Sequence, residues 1–417
     1  MAYSYKIDSN IALIQQLPGG ILPIAMNQNH HMSASAHFII IFLLVSLNLR
    51  MAFSAADPLL VSLMHDLGLG ISSSGLFGLL PVMALGIAAP LGARLVAWVR
   101  PGNLIIYAML AAVAGVIWRS YGGIPGLFGG TIIIGLGLGI AGSVILGVVK
   151  QVEKEHLPTL MSAYTACVSL GTAIGSGASN PVAHWLGGWQ HGLLFWGLPL
   201  LVACALWGEL VLHSRNLHTQ QRTLKAPILP LLRKRSAIMV ALYYLFRVAS
   251  AWLLIVWLST LLRRRGLGAD EAGLVLATAT ICQIPFALAA GALTRLLGGM
   301  GRLMTTATLA AIVACWGLLA APLSLWGLFA LLLGFGMGSI FALGMTLIAT
   351  TEPDEAGTIA LSGLAQGVGF IGGGLLAWAA GLSLRLPMPD VWLASLYTLL
   401  ALCGLCFGLQ CTKRPAR

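Results

Sequence analysis

Charge is what this sequence has least of. Of its 417 residues, twelve are acids and 23 are Lys or Arg, 8% charged in all, where a soluble globular chain carries about 25%. So few charges cannot cover a water-soluble globule of this size, which excludes a soluble enzyme and a disordered chain. Enzyme signatures are missing as well. There is no HExxH for zinc hydrolysis and no GxxxxGK[ST] for a nucleotide motor. Gly177-Ala178-Ser179 begins like a serine-nucleophile motif, but Asn180 stands where Gly is needed. Seven cysteines are scattered through apolar sequence, which excludes a secreted disulfide scaffold. Cys403 and Cys406 have CxxC spacing without a second pair or a nearby His, and read as small core- or lipid-facing residues. No cofactor or metal is expected. The net charge of +11 suggests nucleic acid, but that requires a basic face on a soluble domain; here the cations stand at the ends of apolar runs.

What is present is apolar sequence, 58% of the chain, in long runs with short polar breaks. Twelve runs reach or approach the ~20 residues that cross a bilayer: 37–63, 73–98, 103–119, 124–149, 157–184, 191–213, 237–262, 271–297, 303–321, 324–350, 356–382 and 390–411. Lipid offers backbone groups no partners, so these segments are helices and the fold class is an all-α membrane protein. The 51 glycines read as close helix packing. With the N-terminus inside, inner segments hold 16 Lys and Arg and outer loops five (Arg119, Arg263, Arg264, Arg265 and Arg385), leaving Arg50 and Arg247 within spans. That bias places both termini in the cytoplasm. The Arg263–Arg265 cluster opposes it, as a misplaced boundary, a snorkelling helix end or an anion-attracting collar.

The segment 214–236 carries six basic residues and no acid, and divides the spans six and six. The two sets match at an offset near 200: Gly135-Leu-Gly137-Leu-Gly139 with Gly334-Phe-Gly336-Met-Gly338, Leu160-Met-Ser-Ala163 with Ala360-Leu-Ser-Gly363, Arg94 with Arg295, and Arg50 with Arg247. These residues imply an internal duplication. The domains are then a leader (1–36), an N-terminal six-helix bundle (37–213), a basic cytoplasmic linker (214–236) and a C-terminal bundle (237–417). Such a plan resembles a major-facilitator transporter, with its substrate site at the midplane between the halves.

Ionisable groups inside spans are costly and mark function, since a charge at the bilayer centre costs at least ~2.5–3.5 kcal/mol. Arg50, Ser54 and Asp57 fall at i, i+4 and i+7 on one helix face, and Pro58 frees the carbonyl of Ser54. Tyr243, Arg247 and Ser250 repeat the device, with Trp252 further along. Two guanidiniums, one per half, would grip an anion, with Asp57 as counter-charge or coupling group. Alternatively, Asp57 bridges both arginines and no anion is needed. Gln283 and Gln366 are substrate contacts or interhelical glue. Glu209 reads as a snorkelling residue at a span end.

Several segments resemble the cyanate-permease and 2-nitroimidazole-transporter family of the major facilitator superfamily. They are Leu49–Leu60, Gly142–Lys150, Met161–Tyr164, Trp257-Leu258 and Leu361–Gly369. The resemblance implies twelve transmembrane helices in two pseudo-symmetric bundles, a small-molecule substrate, and roles for Arg50 and Gln366. Two departures add charge: relatives have a small neutral residue at Asp57 and a short polar one near Arg247. The functional expectation is a proton-linked secondary transporter of a small anionic or polar solute, monomeric in the cytoplasmic (inner) membrane, with the lipid bilayer but no nucleic acid as partner. The alternatives are an exporter of neutral heteroaromatic drugs, contacted by Trp252, Tyr243 and Tyr244, and, outside transport, a membrane receptor or embedded enzyme.

Overall fold

A computed structural model describes residues 22–69, 71–213, 223–381 and 388–412. Most of the expected leader, the first nine positions of the linker, Arg385 and the basic C-terminal end lie outside the described residues. Contacts divide the chain into Met1–Ile41 and Phe42–Arg417. In the first unit, residues 22–41 are helical; everything below concerns the second.

The described residues are mostly helical and contain no strand. In order they form α1 (Leu22–Ser54), α2 (Leu60–Asp66), α3 (Ile71–Leu95), α4 (Pro101–Tyr121), α5 (Gly123–Val152), α6 (Leu157–Trp185), α7 (Trp189–Phe195) and α8 (Gly197–His213). After the linker come α9 (Arg235–Arg264), α10 (Ala269–Leu288), α11 (Ala290–Leu296), α12 (Met300–Ala320), α13 (Trp326–Thr351), α14 (Glu355–Ala379) and α15 (Pro389–Thr412). Among the described residues eleven stretches are long and apolar enough to cross a membrane, and Leu79–Leu95 within α3 is a shorter twelfth. These match the twelve expected spans. Three spans are broken. The first stops at Ser54 and resumes at Leu60, the sixth bends at Trp196, and the eighth bends at Ala289.

The break after Ser54 differs from expectation in one detail. Pro58 lacks an N–H, but the Ser54 carbonyl is not left free, because the chain tightens into a turn and Asp57 N–H donates to it at 3.3 Å.

The repeated glycines do the same work in each half. In α5, a methyl group at Gly135 or Gly139 would lie 2.6 Å from Ala84 or Ala88 of α3, and one at Gly137 would lie 2.3 Å from the Ala108 carbonyl of α4. In α13, Gly334 and Gly338 press on Cys282 and Gln283 of α10, and Gly336 presses on Ala311 of α12. Alternate glycines thus let one central helix touch two neighbours at backbone distance. Identical register at offset 199 is what a duplicated helix triplet requires.

Helices from before and after the linker also pack on each other. α14 lies along α3 and α5, and α10 and α13 lie against α6. The α3–α14 seam is tight: added methyls at Gly363 and Gly367 would meet the Ala89 carbonyl at 2.9 Å and Pro90 at 3.1 Å. At the end of the bundle where α5 finishes, the Lys150 ammonium, 5% exposed, donates to the Ala349 carbonyl at 2.8 Å and to the Glu352 carbonyl. These carbonyls terminate α13, where a helix lacks internal partners and carries partial negative charge. Glu352 in turn accepts from Lys234 at 2.7 Å. This end is closed.

Candidate functional site

Beyond the closed end, the helix middles enclose a cavity of about 430 Å³. Its walls come from α1, α6, α9, α10, α13 and α14, and it runs from Arg50, Arg247 and Phe370 toward Asp57, Gly177 and Gly273. Methyl groups at Gly177 or Gly273 would meet nothing within 4 Å, so the wall is open there.

Arg50 and Arg247, the counterparts in the duplication, both line this cavity. The Arg50 guanidinium lies 5.2 Å from the ring centre of Phe53 and 5.3 Å from that of Phe370. Arg247 lies 3.8 Å from the Phe341 ring and 5.4 Å from that of Tyr244. Ring faces are partially negative and stabilise such cations by ~0.5–2 kcal/mol, well short of an ion pair's neutralisation. Among the described residues no carboxylate lies within 4 Å of either guanidinium. Asp57 also lines the cavity and is exposed to it, but it forms no salt bridge with either arginine among the described residues. The self-neutralised pair or triad is therefore not formed in this conformer.

Ser54, Gln283 and Trp252 also line the cavity. The Ser54 hydroxyl, 2% exposed, is turned to its own helix (Arg50 carbonyl, 3.0 Å) and to the Thr172 carbonyl of α6 at 3.1 Å. It ties α1 to α6 and offers little to a solute. Gln366 sits behind Arg50 and donates to the Ser362 hydroxyl at 2.8 Å; it faces a separate void of about 30 Å³ beside Tyr164 and Tyr244, about one water molecule in size. Tyr243 does not line the cavity. Its hydroxyl donates to the Ile340 carbonyl at 2.8 Å, and its ring fills the space beside Gly344 and Gly408. One turn from Arg247 on α9, it faces α13 and α15 instead.

Two cations differ from the charge count. Arg119 belongs to no outer loop; it is 1% exposed in the last turn of α4 and donates to the Ala52 carbonyl at 2.8 Å, just before α1 breaks. Its Nε has no hydrogen-bond partner. The sequence held a signal for this: Ile105, Ala108, Ala112, Gly115 and Val116 form the buried stripe of α4, and Arg119 continues it one turn on. In the Arg263–Arg265 cluster, Arg265 caps α12 through the Leu318 carbonyl (2.6 Å) and the Ala321 carbonyl (2.9 Å). Arg264 approaches Asp390 at 3.7 Å. These are helix-end contacts between α9 and its neighbours.

No group of three or more His, Cys, Asp or Glu side chains suited to a metal occurs among the described residues. Between α2 and α7, the Trp189 indole donates to Asp66 at 2.8 Å, with His65 at 3.3 Å from the same carboxylate. The indole bond and, next, the histidine hold the Asp66 carboxyl below the usual carboxylate range.

The chain is 29% identical over 383 residues to the 2-nitroimidazole transporter of Escherichia coli (strain K12), across 88% of this chain and 94% of that protein. It is 26% identical over 346 residues to the cyanate transport protein CynX of the same organism, across 82% and 88%. In fold it is similar to the crystal structure of the human organic anion transporter MFSD10 (TETRAN), with a TM-score of 0.71 at 16% identity over 90% of this chain and 99% of that one. The sequence profile of the Major Facilitator Superfamily matches residues 41–377, most of the length, and with the duplicated helix triplets and the cavity between them it shows that this multi-pass membrane protein belongs to that superfamily of transporters.

Proposed function

We propose that the protein is a secondary active transporter that carries a small anionic or polar solute across the cytoplasmic membrane by alternating access, driven by protons. The observation that carries this reading is the pair of duplicated arginines on one cavity wall without a carboxylate partner. A buried cation is expensive, and one without a counter-charge becomes a binding site when an anion supplies it. Guanidinium forks suit planar anions bidentately. Asp57, within the same cavity, is the group we assign to proton coupling, because a cavity-facing carboxylate can change protonation as the cavity changes side. The 37–213 and 237–417 halves would rock about the cavity, with both termini and the closed end at the cytoplasm, in keeping with the excess of Lys and Arg there. In this reading the conformer is outward-open, and the protein works as a monomer.

The relatives' names fit two classes of solute, cyanate and 2-nitroimidazole. Export of neutral heteroaromatics gains support from Trp252 and the cavity phenylalanines. It loses the Tyr243 contact on which it also drew.

The test is uptake of labelled small anions into vesicles, with wild type compared with Arg50→Gln, Arg247→Gln and Asp57→Asn. Both arginine variants should lose uptake at least tenfold. Asp57→Asn should lose stimulation by an imposed pH gradient while retaining anion exchange. Full anion uptake by both arginine variants, or lowered drug tolerance as their sole effect, would refute the anion reading.

A further inference from the structure

Resting on the reading of the cavity as an anion site, we propose a narrower substrate class: a carboxylate with a flat, ring-sized apolar body, such as an aromatic carboxylate, in place of a small inorganic ion. Three features point the same way.

The first is charge. The ionisable groups on the described cavity wall are Arg50, Arg247 and Asp57. Arg119, 1% exposed and bonded to the Ala52 carbonyl just before the α1 break, is the cation that acts most strongly on Asp57, so the two wall arginines keep a net positive charge that an anionic solute balances.

The second is how the guanidiniums are presented. Phe53 and Phe370 flank Arg50 at 5.2 and 5.3 Å, and Phe341 lies 3.8 Å from Arg247. With rings beside the cations, the N–H groups along the guanidinium edges are what remains for a solute. Two parallel N–H donors match the two oxygens of a carboxylate. A linear triatomic ion offers no such pair.

The third is what surrounds the charges. A cavity of about 430 Å³ has room for many waters, since ~10–15 Å³ of such space suffices for one, and a triatomic ion fills only a small part of it. Away from the arginines the wall is mostly apolar, with Val168, Val248, Ile255, Leu276 and the Trp252 ring, and the hydroxyls of Thr172, Ser176 and Thr280 among them are turned to carbonyls of their own helices. Closing over a small ion would strand water against these side chains. A flat apolar body extending from the carboxylate would cover them instead, as apolar ligand sites with a few placed polar groups require.

The experiment uses the purified full chain in liposomes and measures concentration-dependent uptake of labelled benzoate, acetate and cyanate, with equilibrium dialysis of benzoate alongside. Benzoate should show a KM at least tenfold below those of acetate and cyanate. Trp252→Ala should lower the benzoate-over-acetate preference at least fivefold. If that variant does not fold, Trp252→Leu keeps the bulk without the ring and carries the same expectation. Acetate or cyanate uptake with a KM equal to or below that of benzoate, lost on Arg50→Gln, overturns the aromatic class and leaves the anion reading standing. Absence of uptake and of binding for all three overturns both.

Discussion

Replacing Lys150 by Met should loosen the closed end of the bundle. The Lys150 ammonium donates to the Ala349 carbonyl at 2.8 Å and to that of Glu352. Ala349 stands 199 positions on, the same offset that relates Gly135 to Gly334. Lys150 therefore reaches the carbonyl of its own duplicated counterpart. Alanine has no donor to return the bond, so the contact is carried from one side. Hydrogen bonds to a charged group contribute about 1.5–3 kcal/mol each. These values are already net of exchange with water, and the two bonds share one ammonium, so a loss of about 2 kcal/mol is expected. At ~1.4 kcal/mol per factor of ten, the open population at this end should rise ~30-fold. Met keeps the packing of the stem, and Lys150→Arg keeps the donor as a control. The readout is a thiol at Ala93, which is 1% exposed and faces Gly363 across the α3–α14 seam. In a chain whose seven native cysteines have been replaced, Ala93→Cys should react with a maleimide ~30-fold faster when Lys150→Met is added. An unchanged rate in a folded variant would refute the latch.

Arg119→Leu leaves the Ala52 carbonyl without its 2.8 Å donor; at about 1–3 kcal/mol for an unsatisfied buried acceptor, the apparent Tm in detergent should fall by about 3–10 °C, and an unchanged or raised Tm would contradict the structural role. Gly171→Ala sets a methyl 2.0 Å from the Leu47 carbonyl and should abolish recovery of folded protein, whereas Gly177→Ala meets nothing within 4 Å and should keep the wild-type Tm. Asp66 has its carboxyl lowered by the Trp189 indole and then by His65. The indole contact is therefore complete above the ordinary carboxylate value of about 4 and weakens as pH falls through the lowered one. Trp189 fluorescence, isolated by difference with Trp189→Phe, should be flat from neutral pH to about 5, change only below about 4, and lose that change in Asp66→Asn; a titration near neutrality would contradict it.

The spans were legible because hydrocarbon leaves a backbone no choice but helix, and hydropathy records that constraint directly. The duplication was legible through the alternate glycines of α5 and α13, since a backbone-distance contact admits no other residue. Arg50 and Arg247 were legible as cations that the apolar sequence around them could not otherwise explain. What escaped was direction. Arg119 at a span end counts as a topological charge until the buried stripe of α4 is followed one turn further. Lys150, read as one of the inner positive charges, carries the contact across the closed end. Tyr243 shares the i, i+4 relation with Arg247, yet about 40° of rotation between such positions, together with the gap left by Gly344 and Gly408, turns it into another interface. The carbonyl set free near Pro58 also moved, because the chain could tighten into a turn and pass the unmet acceptor back to Ala52.

The most direct test is to locate a bound anion. A structure of the full chain soaked with 4-iodobenzoate, read by the anomalous signal of iodine, should place the iodine among Trp252, Ile255 and Leu276. The carboxylate should lie within about 2.7–3.2 Å of N–H groups of Arg50 or Arg247. A saturating anion seated elsewhere, with both guanidiniums still facing water, would contradict the account.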